Sequence, residues 1–245
     1  MQPAATYMDT FRGHTSLSRR LRNAVVAIGN FDGVHRGHAH IFHEARGIAA
    51  RLDGESVVLT FDPHPAKVLA PAYAPPLITP LGRKLELIAA EGIDVTVVEP
   101  FDRAFAGKAA DEFVRDVLVE ALHARHVVVG YDFTFGKKRS GNVQLLAELG
   151  PKNGFGLTVV PPVSVDDIVC SSTKVREFVL EGRVETRYGE NLSESVISEA
   201  GDFLFVPPNV PHEAINLSDT EPARAIVARN DPNEQERVIP YEARH

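Results

Sequence analysis

The sequence predicts an α/β fold, a parallel sheet with helices on both faces, followed by a small all-β segment. Apolar runs alternate with helical patterns from residue 24 to 183, and unusual polar loops follow several of these runs. After residue 183 the helical patterns stop and short strand-like runs begin. We therefore expect a loosely packed leader at 1–23, an α/β domain at 24–183 and a β segment at 184–245.

Composition limits the class of protein. The chain has 245 residues, 44% of them hydrophobic and 24% charged, as in ordinary globular proteins. A net charge of −7 argues against a general nucleic-acid or membrane-surface role. The single cysteine, Cys170, excludes an intrachain disulfide and favours a reducing compartment. No run has the length of a signal peptide or membrane span, so we expect a cytoplasmic protein.

The first element is a strand, a tight turn and a helix. Ala24–Ile28 is the apolar strand, and Gly29–His38 is the glycine-containing turn. Such a junction presents backbone N–H groups and the positive end of a helix dipole to an anion. His35 and His38 flank Gly37 there, so both imidazoles can meet a phosphate. Apolar residues spaced three and four apart predict the helix: Ile41, Phe42, Ala45, Ile48, Ala49 and Leu52.

Further runs complete the α/β pattern. The predicted strands are 56–61, 94–98, 126–130 and 157–160. The predicted helices begin at Leu81, at Ala109 and after Asn142, and a last helix runs from Ser171 through Leu180. The segments 62–65 and 101–105 are predicted to be a stiff non-helical turn and a loop. In a parallel sheet the unusual loops meet at the carboxyl edge: 30–38, 62–65, 131–142 and 171–176.

The turn Gly29–His38 resembles the nucleotidyltransferase signature of the HIGH-type superfamily. In full it is similar to the adenylyltransferase module of bacterial bifunctional riboflavin kinase/FAD synthetases. Thr60–Pro65 matches that family's Thr-Phe-x-Pro-His-Pro block, and Val127–Phe133 and Ser171–Arg176 resemble two further motifs. The resemblance covers residues 20–185 and implies a Rossmann-like nucleotidyltransferase fold.

The resemblance implies adenylyl transfer: the phosphate of FMN attacks the α-phosphorus of ATP, FAD forms and pyrophosphate leaves. Positioning and charge neutralisation would supply the catalysis, with Mg²⁺ bridging phosphate oxygens. The implied catalytic residues are His35, His38 and Arg176. The implied ATP-binding residues are Gly29, Asn30, Phe31, Asp32, His35, His38, Asp132, Arg139, Ser171, Ser172, Thr173 and Arg176. The implied FMN-binding residues are Phe61, Pro63, His64, Pro65 and Asn142.

Several of these features have simpler interpretations. Asp62–Pro65 is also consistent with a rigid loop, and Lys137–Arg139 with a solvated turn. The histidines His35, His38, His40 and His43 suggest a metal cluster, but no cysteine or carboxylate stands in register with them. We therefore expect no protein metal site in this helix.

The end of the chain resembles a second family. Gly201–Asn216 is similar to the second cupin motif, with Asn209 at the position of its last glycine. His212 would be one metal ligand of a cupin, but the earlier His-x-His…Glu motif is missing, so we expect no competent metal site. Half a barrel leaves sheet edges unpaired, which suggests self-association or docking through this segment.

The sequence therefore predicts an FMN adenylyltransferase fused to a partial cupin. The flavokinase block Gly-Arg-x-Leu-Gly-Phe-Pro-Thr-Ala-Asn is absent, so we expect no conversion of riboflavin to FMN. One alternative is another small-molecule nucleotidyltransferase of the superfamily, acting on a phosphopantetheine, nicotinate or glycerol phosphate. The other is a cupin-type binding protein whose first domain is inactive.

Overall fold

The computed structural model divides the chain into two compact units, residues 1–170 and residues 171–245. The residues that it describes are 8–75, 77–165, 168–169, 172, 178–181, 183–198, 212–218, 220 and 224–226. No helix within those ranges is long and apolar enough to cross a bilayer.

Six parallel strands form the sheet of the first unit. They are β1 (Asp9–Arg12), β2 (Val25–Ile28), β3 (Ser56–Asp62), β4 (Val95–Pro100), β5 (His126–Gly130) and β8 (Gly156–Val160). Their order is β1-β4-β3-β2-β5-β8, and every neighbouring pair is parallel. β2 is buried along its whole length, as expected for a strand covered on both faces. The predicted α/β fold class is confirmed.

Two short antiparallel hairpins belong to the same unit. One joins β6 (Thr134–Phe135) to β7 (Gly141–Asn142), and the other joins β9 (Ser164–Val165) to β10 (Ile168–Val169). The first hairpin follows β5 and therefore extends from the carboxyl edge of the sheet.

The helices lie between the strands in sequence. They are α1 (Arg36–Arg51), α2 (Pro65–Leu69), α3 (Leu81–Ala90), α4 (Arg103–Ala106), α5 (Ala110–Glu112, continued by the π-helix Phe113–Ala121) and α6 (Val143–Asn153). In the described part of the first unit, 3₁₀ turns cover His14–Ser16, Pro71–Tyr73 and Lys137–Arg139, and another in the second unit covers Glu190–Leu192. The predicted helices at 109–122 and after Asn142 are confirmed, although the first is mostly π-helical.

Two hydrophobic clusters cover the two faces of the sheet, because alternate residues of a strand point to opposite sides. Val26 and Ile28 of β2 pack in the same cluster as Phe113 and Leu118 of the π-helix. The opposite cluster joins Val25 and Ala27 to α1 and α3. Helices therefore flank the sheet on both sides, as the sequence predicts.

The described part of the predicted leader, residues 8–23, is not loosely packed, contrary to the sequence prediction. Residues 9–12 form β1, which pairs in parallel with β4 at the edge of the sheet. The Arg19 guanidinium bridges Asp9 and Glu55 at 2.9 and 2.7 Å, and so ties the leader to the start of β3. His14 bonds the buried carboxylate of Glu99 through both its backbone N–H and Nδ1, each at 2.8 Å.

Residues 63 and 64 of the predicted turn 62–65 are non-helical as predicted, and a short helix, α2, begins at its last residue. The predicted loop 101–105 differs, because α4 begins within it. Pro65 occupies the first position of α2, where its fixed φ suits a helix, and His64 Nδ1 accepts from the N–H of Ala66 at 3.2 Å. Asp102 caps α4 by accepting from the N–H of Phe105 at 2.7 Å. In both cases a side-chain acceptor bonds an N–H group in the first turn, which has no partner within the helix.

The second unit contains antiparallel strands. β11 (Phe178–Glu181) pairs with β15 (Arg224–Ile226), and β12 (Val184–Tyr188) lies between β13 (Glu194–Ser198) and β14 (His212–Asn216). The helix predicted to run through Leu180 is wrong at residues 178–180, where an aromatic and aliphatic run pairs with β15 instead. The short strand-like runs that the sequence shows after residue 183 are 195–197, 203–206 and 225–228. The first is confirmed as part of β13, and the third is confirmed at residues 225 and 226. Residues 203–206 and 227–228 lie outside the described residues.

Leu59→Ala should destabilise the first unit by about 2–5 kcal/mol, because this β3 side chain is fully buried and its loss leaves a cavity. Chemical denaturation measures the change in free energy of unfolding. Leu69→Ala is the matched control, since Leu69 is 63% exposed, and it should change stability by less than about 0.5 kcal/mol. Equal losses in the two variants would contradict the assigned core.

Candidate active site

The turn after β2 folds back on itself. The N–H of Gly29 donates to the carbonyl of Leu59 at 3.2 Å, and Phe31 then adopts a positive φ of 49°. A Cβ on Gly29 would stand 2.9 Å from the Phe31 ring, so only glycine leaves room for that ring. Phe31 is buried and packs against Phe42 of α1 at a centroid distance of 4.7 Å. The Phe31 ring therefore packs between the turn and α1.

The rings of His35 and His38 stack on each other, and His38 contacts Phe31. Their rings stack at a centroid distance of 3.6 Å, and His38 meets the edge of Phe31 at 5.2 Å. The Nδ1 atom of each ring is buried and has no hydrogen-bond partner within the described part of the chain. Buried polar atoms without partners are uncommon, and a role in binding or catalysis is one explanation for them.

Both imidazoles are neutral at pH 7. Burial lowers the pKa of His35 to about 4, although the charge of Asp32 acts in the opposite direction. Burial also lowers the pKa of His38, and the charge of Lys84, together with that of His35 when its ring is protonated, lowers it further. A bound anion would reverse these effects, because negative charge favours the protonated ring.

The histidine pair stands at the N-terminus of α1. His35 is the N-cap residue, and its side chain makes no capping hydrogen bond. The first free N–H groups of this 16-residue helix, and the positive end of its dipole, therefore face the same point as the two rings. Such an end binds phosphate well.

Asp32 holds the turn to the segment before α3. Its carboxylate is buried and accepts from the N–H groups of Ile78 and Thr79, each at 3.0 Å. The Thr79 hydroxyl in turn accepts from the N–H of Gly33 at 3.1 Å. Asp32 was predicted to bind ATP, and in this structure it has a clear role in fixing the turn.

Lys84 is a buried residue of α3 that sequence analysis missed. Its Nζ donates to the carbonyl of Asn30 and the hydroxyl of Thr60 at 3.1 Å, and to the carbonyl of Phe61 at 3.3 Å. Its spacing in the sequence could have indicated burial, because Lys84 falls on the same helical face as Leu81 and the buried Ile88. A lysine at a core position indicates a specific partner.

One cavity joins the turn after β2 to the loop after β3. The predicted residues Asp32, Phe61 and His64 share its wall. The complete lining is Asp32, Phe61, Asp62, His64, Leu77, Thr79, Leu81 and Lys84. The structure therefore brings one residue predicted for ATP, Asp32, to the same cavity as Phe61 and His64, which were predicted for FMN. The histidine pair is not part of this lining.

An aromatic cluster continues from that cavity. The Phe61 ring meets Phe101 edge-on at 5.7 Å and lies 6.1 Å from Phe105. Pro63 is exposed, while Pro65 begins α2. Phe101 and Phe105 were not predicted as site residues, although both aromatic side chains follow β4 at the carboxyl edge.

The other predicted residues lie in the segment that follows β5. The side chains of Asp132 and Arg139 are exposed and form no hydrogen bond or ion pair with the rest of the described chain. Asn142 is also exposed, and its Oδ1 caps α6 by accepting from the N–H of Leu145 at 2.9 Å. Their predicted roles toward ATP and FMN remain predictions.

The Ser-Ser-Thr motif and the cupin motif are described only in part. Ser171, Thr173 and Arg176 lie outside the described residues, and Ser172 is in a turn. His212 is an exposed residue of β14, and most of its predicted motif is outside the description. Within the described ranges, no three His, Cys, Asp or Glu residues group to hold a metal ion.

Known families account for most of the chain. Residues 17–174 match the FAD synthetase family. The chain belongs to that family. Residues 177–229 match a cupin domain, in agreement with the second resemblance.

Three relatives are proteins described as bifunctional riboflavin kinase/FMN adenylyltransferase. The Escherichia coli K12 protein is 36% identical over 213 residues, covering 83% of this chain and 68% of the relative. The proteins of Buchnera aphidicola (Acyrthosiphon pisum) and Listeria monocytogenes are 33% and 38% identical, over 73% and 66% of this chain. The chain spans 57% and 52% of those two relatives.

A solved structure shares the fold of this family member. It is described as a macrolide-efflux protein from Streptococcus pneumoniae and superposes with a TM-score of 0.62 at 25% identity. The match covers 75% of this chain and 66% of that one.

Lowering the pH should destabilise this protein through His35. Because burial lowers its pKa from 6.5 to about 4, the unfolded chain takes up a proton on this ring before the folded protein does. The contribution of His35 to the free energy of unfolding is fully present above about pH 6.5 and decreases as the pH drops toward 4. Between about pH 7 and pH 5, wild type should lose roughly 1 kcal/mol more than His35→Gln, allowing for partial solvation.

Denaturant unfolding at the two pH values measures this difference. His43→Gln is the matched control, since His43 is an exposed residue of the same helix, and it should keep the wild-type pH dependence. If His35→Gln also keeps that dependence, the ring does not titrate as its burial requires.

Proposed function

We propose that this protein is an FMN adenylyltransferase, which converts ATP and FMN to FAD and pyrophosphate. One observation carries the proposal: a stacked histidine pair with unpartnered nitrogens stands at a helix N-terminus in a member of the FAD synthetase family. This arrangement suits a polyphosphate, because it combines backbone N–H groups, a positive dipole end and two imidazoles. The names of the relatives support the same reaction.

In this proposal the histidine pair holds the triphosphate of ATP. Both rings are neutral before ATP binds, since burial lowers the pKa of each. As negative charge develops on the phosphoryl oxygens, a ring at hydrogen-bond distance stabilises it, and its own protonation becomes more favourable. No residue needs to form a covalent intermediate, because the FMN phosphate is the nucleophile and pyrophosphate leaves.

The rest of the ATP site follows the family motif. We propose that Asn30 and Phe31 support the nucleotide from the turn. By resemblance, Arg139 and the Ser171–Arg176 segment supply further donors, with hydroxyls and guanidinium groups as phosphate ligands, and Asp132 supplies an acceptor for ATP. Ser and Thr hydroxyls with a forked arginine suit a triphosphate well.

The flavin would occupy the aromatic side of the cavity. Phe61 lines the cavity and contacts Phe101 and Phe105, so this wall offers a flat apolar ring system a surface for stacking. Pro63, His64 and Pro65 follow on the same loop, and Asn142 is proposed as a further polar contact. The phosphate of FMN would then point toward the turn after β2.

Mg²⁺ would neutralise charge on the phosphates. Asp62 fits a role as its protein ligand, since this carboxylate lines the cavity and forms no hydrogen bond with the rest of the described chain. Magnesium commonly binds one carboxylate together with phosphate oxygens and water. Asp32 fits less well, because backbone N–H groups already occupy its oxygens.

We further infer a cytoplasmic location from the single cysteine and the nucleotide substrates. The net charge of −7 favours small-molecule substrates over nucleic acid. Self-association through the β segment remains a proposal that sedimentation of the full chain would test.

Purified protein incubated with FMN, ATP and Mg²⁺ should form FAD, measured by chromatography. His38→Ala should lower kcat by at least about 100-fold, because it removes a group that stabilises developing phosphoryl charge. His43→Ala removes an exposed histidine of the same helix and should stay within about twofold of wild type. If the wild-type protein forms no FAD, the proposed function is wrong. If His38→Ala turns over as fast as wild type, His38 has no catalytic role.

A further inference from the structure

Lys84 connects the two loops that the proposed substrates need. Its Nζ reaches the carbonyl of Asn30 in the turn after β2, and the hydroxyl of Thr60 and carbonyl of Phe61 at the end of β3. The Thr60 hydroxyl also donates to the carbonyl of Asn30 at 3.1 Å. Two loops from neighbouring parallel strands therefore share one hydrogen-bonded centre.

The ammonium group has no donor left for a substrate. A lysine carries three N–H donors, and its three acceptors are the two carbonyls and the hydroxyl. The side chain is 7% exposed, so water does not compete for these donors. Lys84 therefore acts through Asn30 and Phe61 and not by binding a phosphate directly.

The charge of Lys84 remains available to the cavity. Lys84 forms no ion pair with the described residues, and its nearest opposite charges, Asp32 and Asp62, act through space. Burial lowers the pKa of Lys84, and the two carboxylates oppose that effect. Its positive charge also reaches His38, whose pKa it lowers. An anion in the cavity would thus meet a buried cation behind the loops.

We propose that Lys84 is a positioning residue that fixes the turn after β2 (29–38) and the end of β3 with its following loop (60–65) relative to each other, so that binding of both ATP and FMN depends on it. This inference rests on the proposed function. It assigns to one residue of α3 a joint effect on two binding sites. A defect in either loop alone would affect one substrate, whereas loss of the shared centre affects both.

Lys84→Met is the direct test, because methionine keeps much of the side-chain length and removes the charge and all three donors. We expect kcat/KM to fall about 100-fold, with the KM values for ATP and for FMN each rising about 5- to 10-fold. Lys67→Met is the matched control. Lys67 is an exposed lysine of α2 at the same edge of the sheet, and both KM values should stay within about twofold.

A double-mutant cycle with Thr60→Val tests the shared centre. Valine has nearly the shape of threonine and removes only the hydroxyl that joins Lys84 to Asn30. Thr60→Val alone should lower kcat/KM about 10-fold, and combining it with Lys84→Met should cost little beyond Lys84→Met. Thermal unfolding checks that each variant folds, and Thr60→Val carries the test if Lys84→Met does not.

Two results would overturn the inference: a change in KM for one substrate only, or fully additive effects in the cycle. Dissociation constants for ATP and FMN distinguish failure of this inference from failure of the proposed function. Quenching of FMN fluorescence and calorimetry with ATP measure binding without turnover. If wild type binds both ligands but makes no FAD, the proposed reaction fails, and Lys84→Met should still weaken both binding events.

Discussion

Parallel hydrogen bonding on both sides of β2 is the constraint on which the site depends. β2 pairs with β3 on one side and with β5 on the other, and all three strands run in the same direction. Their carboxyl ends therefore open onto one edge, where the turn with its two histidines stands beside the loop after β3. Neither segment forms the cavity alone, because residues of the turn, of the loop and of α3 together line the cavity.

The site combines neutral and charged groups. The imidazoles at the start of α1 are uncharged, since desolvation lowers the pKa of each. A positive charge lies on a buried lysine of the cavity wall, whose donors are all occupied. Asp32 and Asp62 line the same wall. An anion bound at the start of α1 would raise the pKa of the imidazoles, because negative charge favours the protonated ring.

Much of this could be predicted from the sequence because local patterns determine it. The apolar run of β2 and the spacing in α1 gave the strand–turn–helix, and the motif between them identified His35 and His38. β1 could not be predicted in this way, because four residues of mixed burial have no local signal and depend on β4. Lys84 was missed for a related reason: its acceptors lie 23 to 54 residues earlier in the chain.

The position of β1 has a consequence for synthesis on the ribosome. Within the sheet this strand pairs only with β4, and the partner of Arg12 is Val98. β1 therefore has no place to dock in this sheet until more than eighty further residues have been translated. During synthesis β1 must stay unpaired while the strands at the centre of the sheet assemble.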